Sequence, residues 1–346
     1  MEIDGSQGEG GGQILRTALA LAALTGEPLE VRRIRAGRRK PGLQPQHLTA
    51  VRAAAKICSA RVEGDILDSQ EIAFAPQSPP RPGTYVFDVQ QAAKGGSAGA
   101  TSLVLQAVLL PLALAGGPSQ ITLRGGTHVA WSPPYDYLKH VLLPMLARMG
   151  IRGTAQIERW GWYPLGGGEI KVSLAGEGAL HGLEGMERGA LLRVRGVSAS
   201  SNLPKHIRTR QEAAALQLLR SQGVNARIDP IDAPSKGQGT AVFLWAESER
   251  ASAGFTSLGA LGKPAERVAG EAADELLGYL RGTAALDRHL ADQLVLPATF
   301  ASGRTEFTCQ EITQHLLTVH WVVNQLFPGR VRVEGELGRP GRCQVQ

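Results

Sequence analysis

The residues with the clearest chemical potential are a histidine, a carboxylate among glycines and a run of arginines. His315-Leu316-Leu317-Thr318 opens an amphipathic stretch two residues after Thr313, a residue type that caps helices. The positive end of a helix disfavours imidazolium, so a histidine in its first turn carries a free nitrogen lone pair at neutral pH. That suits a nucleophile, although on spacing alone the structural reading of such a histidine comes first. Glu9 lies in Gly8-Glu9-Gly10-Gly11-Gly12, where flexible backbone lets a carboxylate approach a metal shared with phosphates; the alternative is a solvated turn acid. Arg32, Arg33, Arg35, Arg38, Arg39 and Lys40 fall within nine residues that contain no acid. Gly37 and Gly42, within and beside that run, favour a phosphate-binding surface over a merely solvated loop. Gln106 lies in an apolar helix, where its amide needs a partner, either a ligand or nearby backbone.

Several chemistries are excluded. Gly262-Lys263 is followed by Pro264 and lacks the upstream glycine of a Walker loop. Gly8-Glu9-Gly10 meets Gln at position 13, where a dinucleotide fingerprint needs Gly. No His-Glu-x-x-His or paired Cys-x-x-Cys occurs, and Cys58, Cys309 and Cys343 have no metal-ligand spacing. Three cysteines without a secretory signal point to reduced thiols and a cytoplasmic location. Met-Glu-Ile-Asp-Gly has neither the basic nor the apolar run of a signal peptide. The apolar stretch from Leu103 to Ala115 is too short to span a bilayer, so no membrane partner is expected.

The elements that must position these residues form a repeat. Gly12 to Gly37, Ser97 to Gly126 and Ala291 to Gln310 each read as an apolar helix, a glycine-containing turn or a Thr-Gly-Glu-Pro turn, and a strand. Each is followed by a second helix, at His47, Tyr137 and His315, and by another strand. His47 and Tyr137 are 90 residues apart, Tyr137 and His315 178, and the excess of 88 implies an insertion the size of a small domain. Leu191–Val197 and Ala241–Trp245 alternate as strands, and Lys205–Ser221 reads as an amphipathic helix. The expected fold is therefore α/β (α+β). A large domain (1–186 and 284–346) is built of three helix–strand–helix–strand units whose sheets pack against helices, and 187–283 is an inserted smaller α/β domain.

Five segments, taken together, resemble the RNA 3′-terminal phosphate cyclase family. They are Asp4 to Arg16; Ile34-Arg35-Ala36-Gly37-Arg38 with Lys40 to Leu43 and Gln46-His47; Gly96-Ser97 through Gln106; His289-Leu290-Ala291-Asp292-Gln293-Leu294; and His315 to Thr318. Gly125-Gly126-Thr127 and Tyr163 to Gly168 extend the likeness over essentially the whole chain; it is weakest in the insert. The resemblance implies ATP-dependent conversion of an RNA 3′-phosphate to a 2′,3′-cyclic phosphate. In that family a histidine attacks the α-phosphorus of ATP, releasing pyrophosphate. The adenylate passes to the RNA 3′-phosphate, and the 2′-hydroxyl then closes the ring and releases AMP.

The nucleophile falls on His315. The nucleotide contacts fall on Gln106 and on His289, Leu290, Ala291, Asp292 and Gln293, and adenine stacking falls on Pro133 and Tyr137, for which ordinary packing remains an alternative. Arg16, Arg35 and Arg38 would hold the triphosphate or the RNA phosphate. His47 and Gln46 would orient substrate or pyrophosphate, or else cap and pack a helix. Glu9 would contact a divalent metal, magnesium or manganese. His289 departs from the aromatic residue frequent in relatives. Lys205, His206, Arg208 and Arg210 suggest RNA contact by the insert, or a solvated helix face. The partners implied are RNA with a 3′-phosphate end and ATP; a homodimer is left open. The rival readings are a non-catalytic cyclase-like protein of ribosome assembly and an enolpyruvyl-transferase-like enzyme.

Overall fold

The computed structural model describes residues 1–92, 97–176 and 179–346; Gly96 of the Gly96-Ser97 motif lies outside the described residues. The first unit runs β1 (Glu2–Asp4), α1 (Gly12–Thr25), β2 (Leu29–Arg32), α2 (Pro45–Cys58), β3 (Arg61–Glu63) and β4 (Ile72–Ala75). The second runs β5 (Thr84–Asp88), α3 (Thr101–Ala113), β6 (Ser119–Gly125), then α4 (Tyr135–Tyr137) passing through a π turn (Leu138–Leu142) into α5 (Leu143–Arg148), and β7 (Gly153–Arg159) and β8 (Gly168–Leu174). The third opens with β9 (Glu184–Gly185). It resumes only after β10 (Leu191–Ser201), α6 (Lys205–Ser221), β11 (Ala226–Asp232), β12 (Gly239–Ser248), β13 (Ser252–Leu258) and α7 (Ala265–Arg281). Its remainder is α8 (Ala291–Thr299), β14 (Thr305–Cys309), α9 (Gln314–Leu326), β15 (Val331–Glu334) and β16 (Gly341–Val345).

The three units share one topology. Their sheets have the orders β1-β2-β4-β3, β5-β6-β8-β7 and β9-β14-β16-β15. In each, the first pair is parallel and the other two are antiparallel. The unit is thus β-α-β-α-β-β, which corrects the four-element unit expected from sequence by adding a strand at each end. The opening strands β1 and β9 have only three and two residues, too few to show a period-two pattern. The insertion enters between the first strand and the first helix of unit three, so that β9 still pairs with β14 across it.

The helices are ordered by burial. Gln13 to Ala23 of α1 and all but Gln106 of α3 are buried, so these helices are covered on every side. α1 packs on α2, α3 and α9, and α8 on α9, which brings the first helix of each unit into one core. Leucine and alanine dominate α1 and α3, the composition expected of helices that contact other helices all round. α1 ends at Gly26, whose left-handed backbone (φ +76°) lets its amide reach Ala22 O at 2.9 Å. Among the described residues, no helix is long and apolar enough to cross a membrane.

In the sheet β11-β10-β12-β13, the central strand β12 is buried on both faces. Val242, Leu244 and Ala246 of β12 face α6 and α7 in a separate apolar cluster, whereas Ala241, Phe243 and Trp245 join the main core. His140, in the π turn of unit two, stacks on Trp245 at 4.1 Å. We propose from this division that 187–283 is the inserted unit and that one face of its sheet docks it onto the body formed by 1–186 and 284–346.

Candidate active site

The glycine loop is clamped on two sides. Gly8 lies along α9, where an added Cβ would fall 2.7 Å from Thr318 Oγ1. Gly10 adopts φ +54° and abuts Gly37 of the Arg-Ala-Gly-Arg turn, whose N would be 2.8 Å from a Cβ. A side chain at residue 10 would both strain the backbone and separate these segments. Glu9 is thereby carried between units one and three. Its Oε2 accepts from Arg38 Nη2 at 2.7 Å, and its Oε1 lies 3.5 Å from His315 Nδ1.

His315 is the second residue of α9, one position off the third-residue placement of His47 in α2 and Tyr137 in α4. Thr313 caps the helix, its side chain accepting from Leu316 N at 3.1 Å. The His315 side chain stays 49 % exposed, so it is open to a ligand. The surrounding walls lower its proton affinity, Glu9 opposes this, and Arg16 and Arg38 add to the lowering. The ring is neutral at pH 7.

Arg16 anchors the floor. It is 5 % exposed; Nε donates to Gln106 Oε1 at 2.9 Å and Nη2 to Gln13 Oε1 at 2.6 Å. Gln106 Nε2 lies 3.4 Å from Gln293 Oε1, and Gln293 Nε2 donates to His289 O at 2.7 Å. A polar chain thus crosses from α1 through α3 to α8, one helix from each unit. Arg16, Gln106, Asp292 and Gln293 line a cleft whose apolar wall includes Leu109 and Leu142. An adjoining recess is lined by Gln106, Gln293, Ser102 and Pro133. Burial pulls Arg16 down to about 10, against the opposing charges of Glu9 and Asp292.

Arg16 Nη1 is left facing the start of α1. A Cβ at Gly12 would lie 2.8 Å from it and would collide with His47 Nε2. His47 is buried, and among the described residues its Nδ1 makes no hydrogen bond of normal geometry. Burial, then Arg16, Arg35 and Arg38, hold it well below the ordinary imidazole range, so it is uncharged. Gly11, at the head of α1, supplies no side-chain cap, so the first amides of the helix are open to an anion.

The other residues singled out from sequence sit differently. Arg35 is half-buried with φ +56°; its Nη1 donates to Lys40 O at 2.6 Å and Gly42 O at 2.9 Å, bracing the basic loop from within. Gln46 Oε1 accepts from Ala100 N at 2.8 Å, so it ties down the start of α3. Leu290 and Ala291 are fully buried and can meet a ligand only through backbone. Tyr137 is 2 % exposed, and its hydroxyl donates to Asp287 at 2.9 Å. Its ring touches His289 edge-on, at 6.5 Å between centroids. Arg208 is buried against Ser200 and Asp232, and Arg210, half exposed, is paired with Glu266.

Sequence reasoning missed Asp287. Its Oδ1 accepts from His289 N at 2.8 Å and Leu290 N at 3.0 Å, and its Oδ2 from Gly254 N of β13 at 3.1 Å. It therefore organises the turn into α8 and ties that turn to the insert. An Asp four residues before a helical run is the available signal.

Asp292 illustrates the cost of this arrangement. Burial lifts its pKa from 3.8 to about 7, against the pull of Arg16. A raised folded pKa means that the unfolded chain releases its proton first. Stability therefore falls as pH rises from 3.8 towards 7, and the penalty is complete above that. Asp292→Asn removes the charge but not the shape. It is expected to raise the nucleotide-free stability at pH 8 by about 1 kcal/mol, as measured by urea unfolding, with no gain at pH 4.

The sequence model of the family described as RNA 3′-terminal phosphate cyclase matches residues 7–333. A protein of that name from Methylococcus capsulatus (strain ATCC 33009 / NCIMB 11132 / Bath) is 51% identical over 347 residues, covering 100% of this chain and 96% of its own. One from Nostoc punctiforme (strain ATCC 29133 / PCC 73102) is 49% identical over 333 residues, 96% of each chain. One from Ignicoccus hospitalis (strain KIN4/I / DSM 18386 / JCM 14125) is 44% identical over 353 residues, covering 100% of this chain and 98% of its own.

Proposed function

The chain belongs to the RNA 3′-terminal phosphate cyclase family, and on that footing we propose that it uses ATP to convert an RNA 3′-phosphate into a 2′,3′-cyclic phosphate, with His315 as the nucleophile. The observation that carries the assignment is the meeting of His315 with the Glu9–Arg38 pair at the mouth of the cleft floored by Arg16, Gln106 and Gln293. With Nδ1 turned to Glu9, Nε2 is the nitrogen available for attack.

Three displacements follow. The Nε2 lone pair forms a bond to the α-phosphorus of ATP, and the bond to the bridging oxygen breaks, releasing pyrophosphate. An oxygen of the RNA 3′-phosphate then attacks the same phosphorus and displaces His315, leaving AMP joined to the RNA end. Finally the 2′-hydroxyl attacks the RNA phosphorus, loses its proton, and expels AMP. Splitting the activation in two lets one imidazole serve as nucleophile and then as leaving group.

The roles of the other side chains follow from their placement. Arg16 Nη1, Arg38 and the open amides at the head of α1 stabilise negative charge on the transferring and departing phosphates. Gln106, Asp292 and Gln293 offer polar atoms to the nucleoside, and Pro133 and His289 offer apolar faces to the base. Tyr137 acts from behind by holding Asp287 and the turn into α8. A divalent metal supplies charge neutralisation for polyphosphate transfer. Glu9 fits such an ion as a single carboxylate contact. Among the described residues no group of three His, Cys, Asp or Glu comes together for a metal, so magnesium or manganese would take its other ligands from phosphates and water.

The experiment is a cyclisation assay with ATP, magnesium and a 3′-phosphorylated RNA. The RNA end should become resistant to phosphatase only when ATP is present. An end that stays phosphatase-sensitive under all conditions overturns the reading. The pH profile provides a further expectation. Because protonated imidazole cannot attack, the rate of the first step should fall with acid, with a midpoint below the ordinary value of 6.5. A midpoint above 6.5 would contradict the site electrostatics.

A further inference from the structure

Two aromatic side chains stand in solvent with no role in the scheme above. Trp131 is 98 % exposed and Tyr163 is 78 % exposed. Trp131 also has φ +63°, a backbone conformation that bulky L-residues rarely adopt. Exposing an indole on strained backbone stabilises nothing in the folded chain, and such strain collects at functional positions.

Both aromatics sit on anchored backbone. The segments carrying them are joined by a parallel bridge between His128 and Trp162, with Thr127 N and His128 N donating to Gly161 O at 2.9 and 3.1 Å. Trp162 Nε1 donates to Ser201 Oγ at 2.7 Å, and Ser132 Oγ to Val129 O at 3.0 Å. Tyr163 is one residue beyond the bridge on one segment and Trp131 three beyond it on the other, so both are carried by the same pair of joined segments.

That surface is continuous with the cleft at two points. Pro133, two residues from Trp131, lines the recess with Gln106 and Gln293. On the other side, a Cβ at Gly166 would lie 2.7 Å from Ser97 O. The chain from Ser97 leads to Ala100, which is held by Gln46 beside His47 at the head of α1.

Its charge leans positive. Residues 126–135, 160–168 and 233–240 contain no Asp or Glu, and the exposed acid beside them, Asp232, is paired with Arg208. Lys236 is exposed, its Cδ 3.4 Å from where a Cβ on Gly167 would be, and Lys205 and His206 are exposed at the start of α6. Aromatic faces next to cations suit a flexible polyanion with π surfaces, which is single-stranded RNA.

We propose that Trp131 and Tyr163 are stacking platforms for the bases of the RNA strand immediately upstream of its 3′-phosphate. This rests on the cyclase reading above. It locates RNA contact at the seam between unit two and the insert, and not on Arg208 and Arg210, which are already paired within the protein. Stacking tolerates any base, so the platform selects for strand length and single-strandedness, not for sequence.

The test uses the full-length protein with two substrates, a 3′-phosphorylated dinucleotide and a 3′-phosphorylated single strand of about ten nucleotides. The variants are Trp131→Ala, Tyr163→Ala and both together. Because both side chains are exposed, the variants should unfold at the wild-type temperature. The double variant is expected to raise KM for the longer RNA about tenfold or more and to change KM for the dinucleotide less than about twofold. Its labelling by α-labelled ATP without RNA should be unchanged. An unaltered KM for the longer strand overturns the proposal, as does an equal rise for both RNAs. A shift in sedimentation on removing the rings would assign the surface to self-association and also overturn it. A wild-type protein that cyclises neither RNA sinks the cyclase function itself, a failure distinct from loss of length dependence.

Discussion

The His315→Asn protein is expected to fold as the wild type does and to lose cyclisation by roughly 10⁴-fold or more. The side chain is half exposed, and its ion-pair neighbour, Glu9 Oε1, is 3.5 Å away, so little stability depends on it. Asn keeps polarity and approximate size but has no basic nitrogen. Its amide lone pair is delocalised, so the first phosphorus–nitrogen bond cannot form. Without that bond the RNA phosphate would have to attack ATP directly, with no imidazole to serve as leaving group. Thermal unfolding and the phosphatase-resistance assay, run on one preparation, check both halves. A folded His315→Asn protein with activity within tenfold of the wild type would show that the histidine is not the nucleophile.

The second large effect is expected at Arg16. Arg16→Lys keeps the charge and loses the planar fork. Nε and Nη2 are committed to Gln106 and Gln13, which leaves Nη1 for the anion at the head of α1. One ammonium cannot occupy all three positions. If it reaches the phosphate, Gln13 and Gln106 lose a buried partner; if it stays with the glutamines, the phosphate loses its donor. We expect a fall in kcat/KM of about a hundredfold and a loss of about 1–2 kcal/mol of stability. Steady-state kinetics with varied ATP and urea unfolding separate the two. A Lys variant within twofold of wild type in kcat/KM would remove Arg16 from phosphate contact.

Much of this was readable from sequence, for physical reasons that also mark where reading stopped. The helix Lys205–Ser221 was legible at both ends because a Pro precedes it and a Gly follows shortly after it. The repeat was legible because its long apolar helices α1 and α3 carry strong patterns, whereas β1 and β9, of three and two residues, carry none. Glu9 and Arg38 stood out by type and setting, Arg16 and His315 through the family resemblance, and the fold brings the four together. What sequence could not show was which polar groups use each other. Arg35 looks like a phosphate ligand, yet its Nη1 holds Lys40 O and Gly42 O. Tyr137 looks like a stacking surface until its hydroxyl is found on Asp287, inside the core. Asp287 gives no sign of linking two units and the insert, because its partners are 33 and 150 residues away. Such choices are set by tertiary proximity, which local pattern does not encode.

The central claim is that adenylate is carried on His315. Its most direct test is to incubate the full-length protein with α-labelled ATP and magnesium, without RNA, and to map the labelled peptide. A phosphoramidate is labile in acid and stable in alkali, so the label should show that behaviour. It should lie on a peptide containing His315, be absent from His315→Asn, and leave the protein when RNA with a 3′-phosphate is added. Label on a different residue, or none from a preparation that cyclises RNA, would contradict the account.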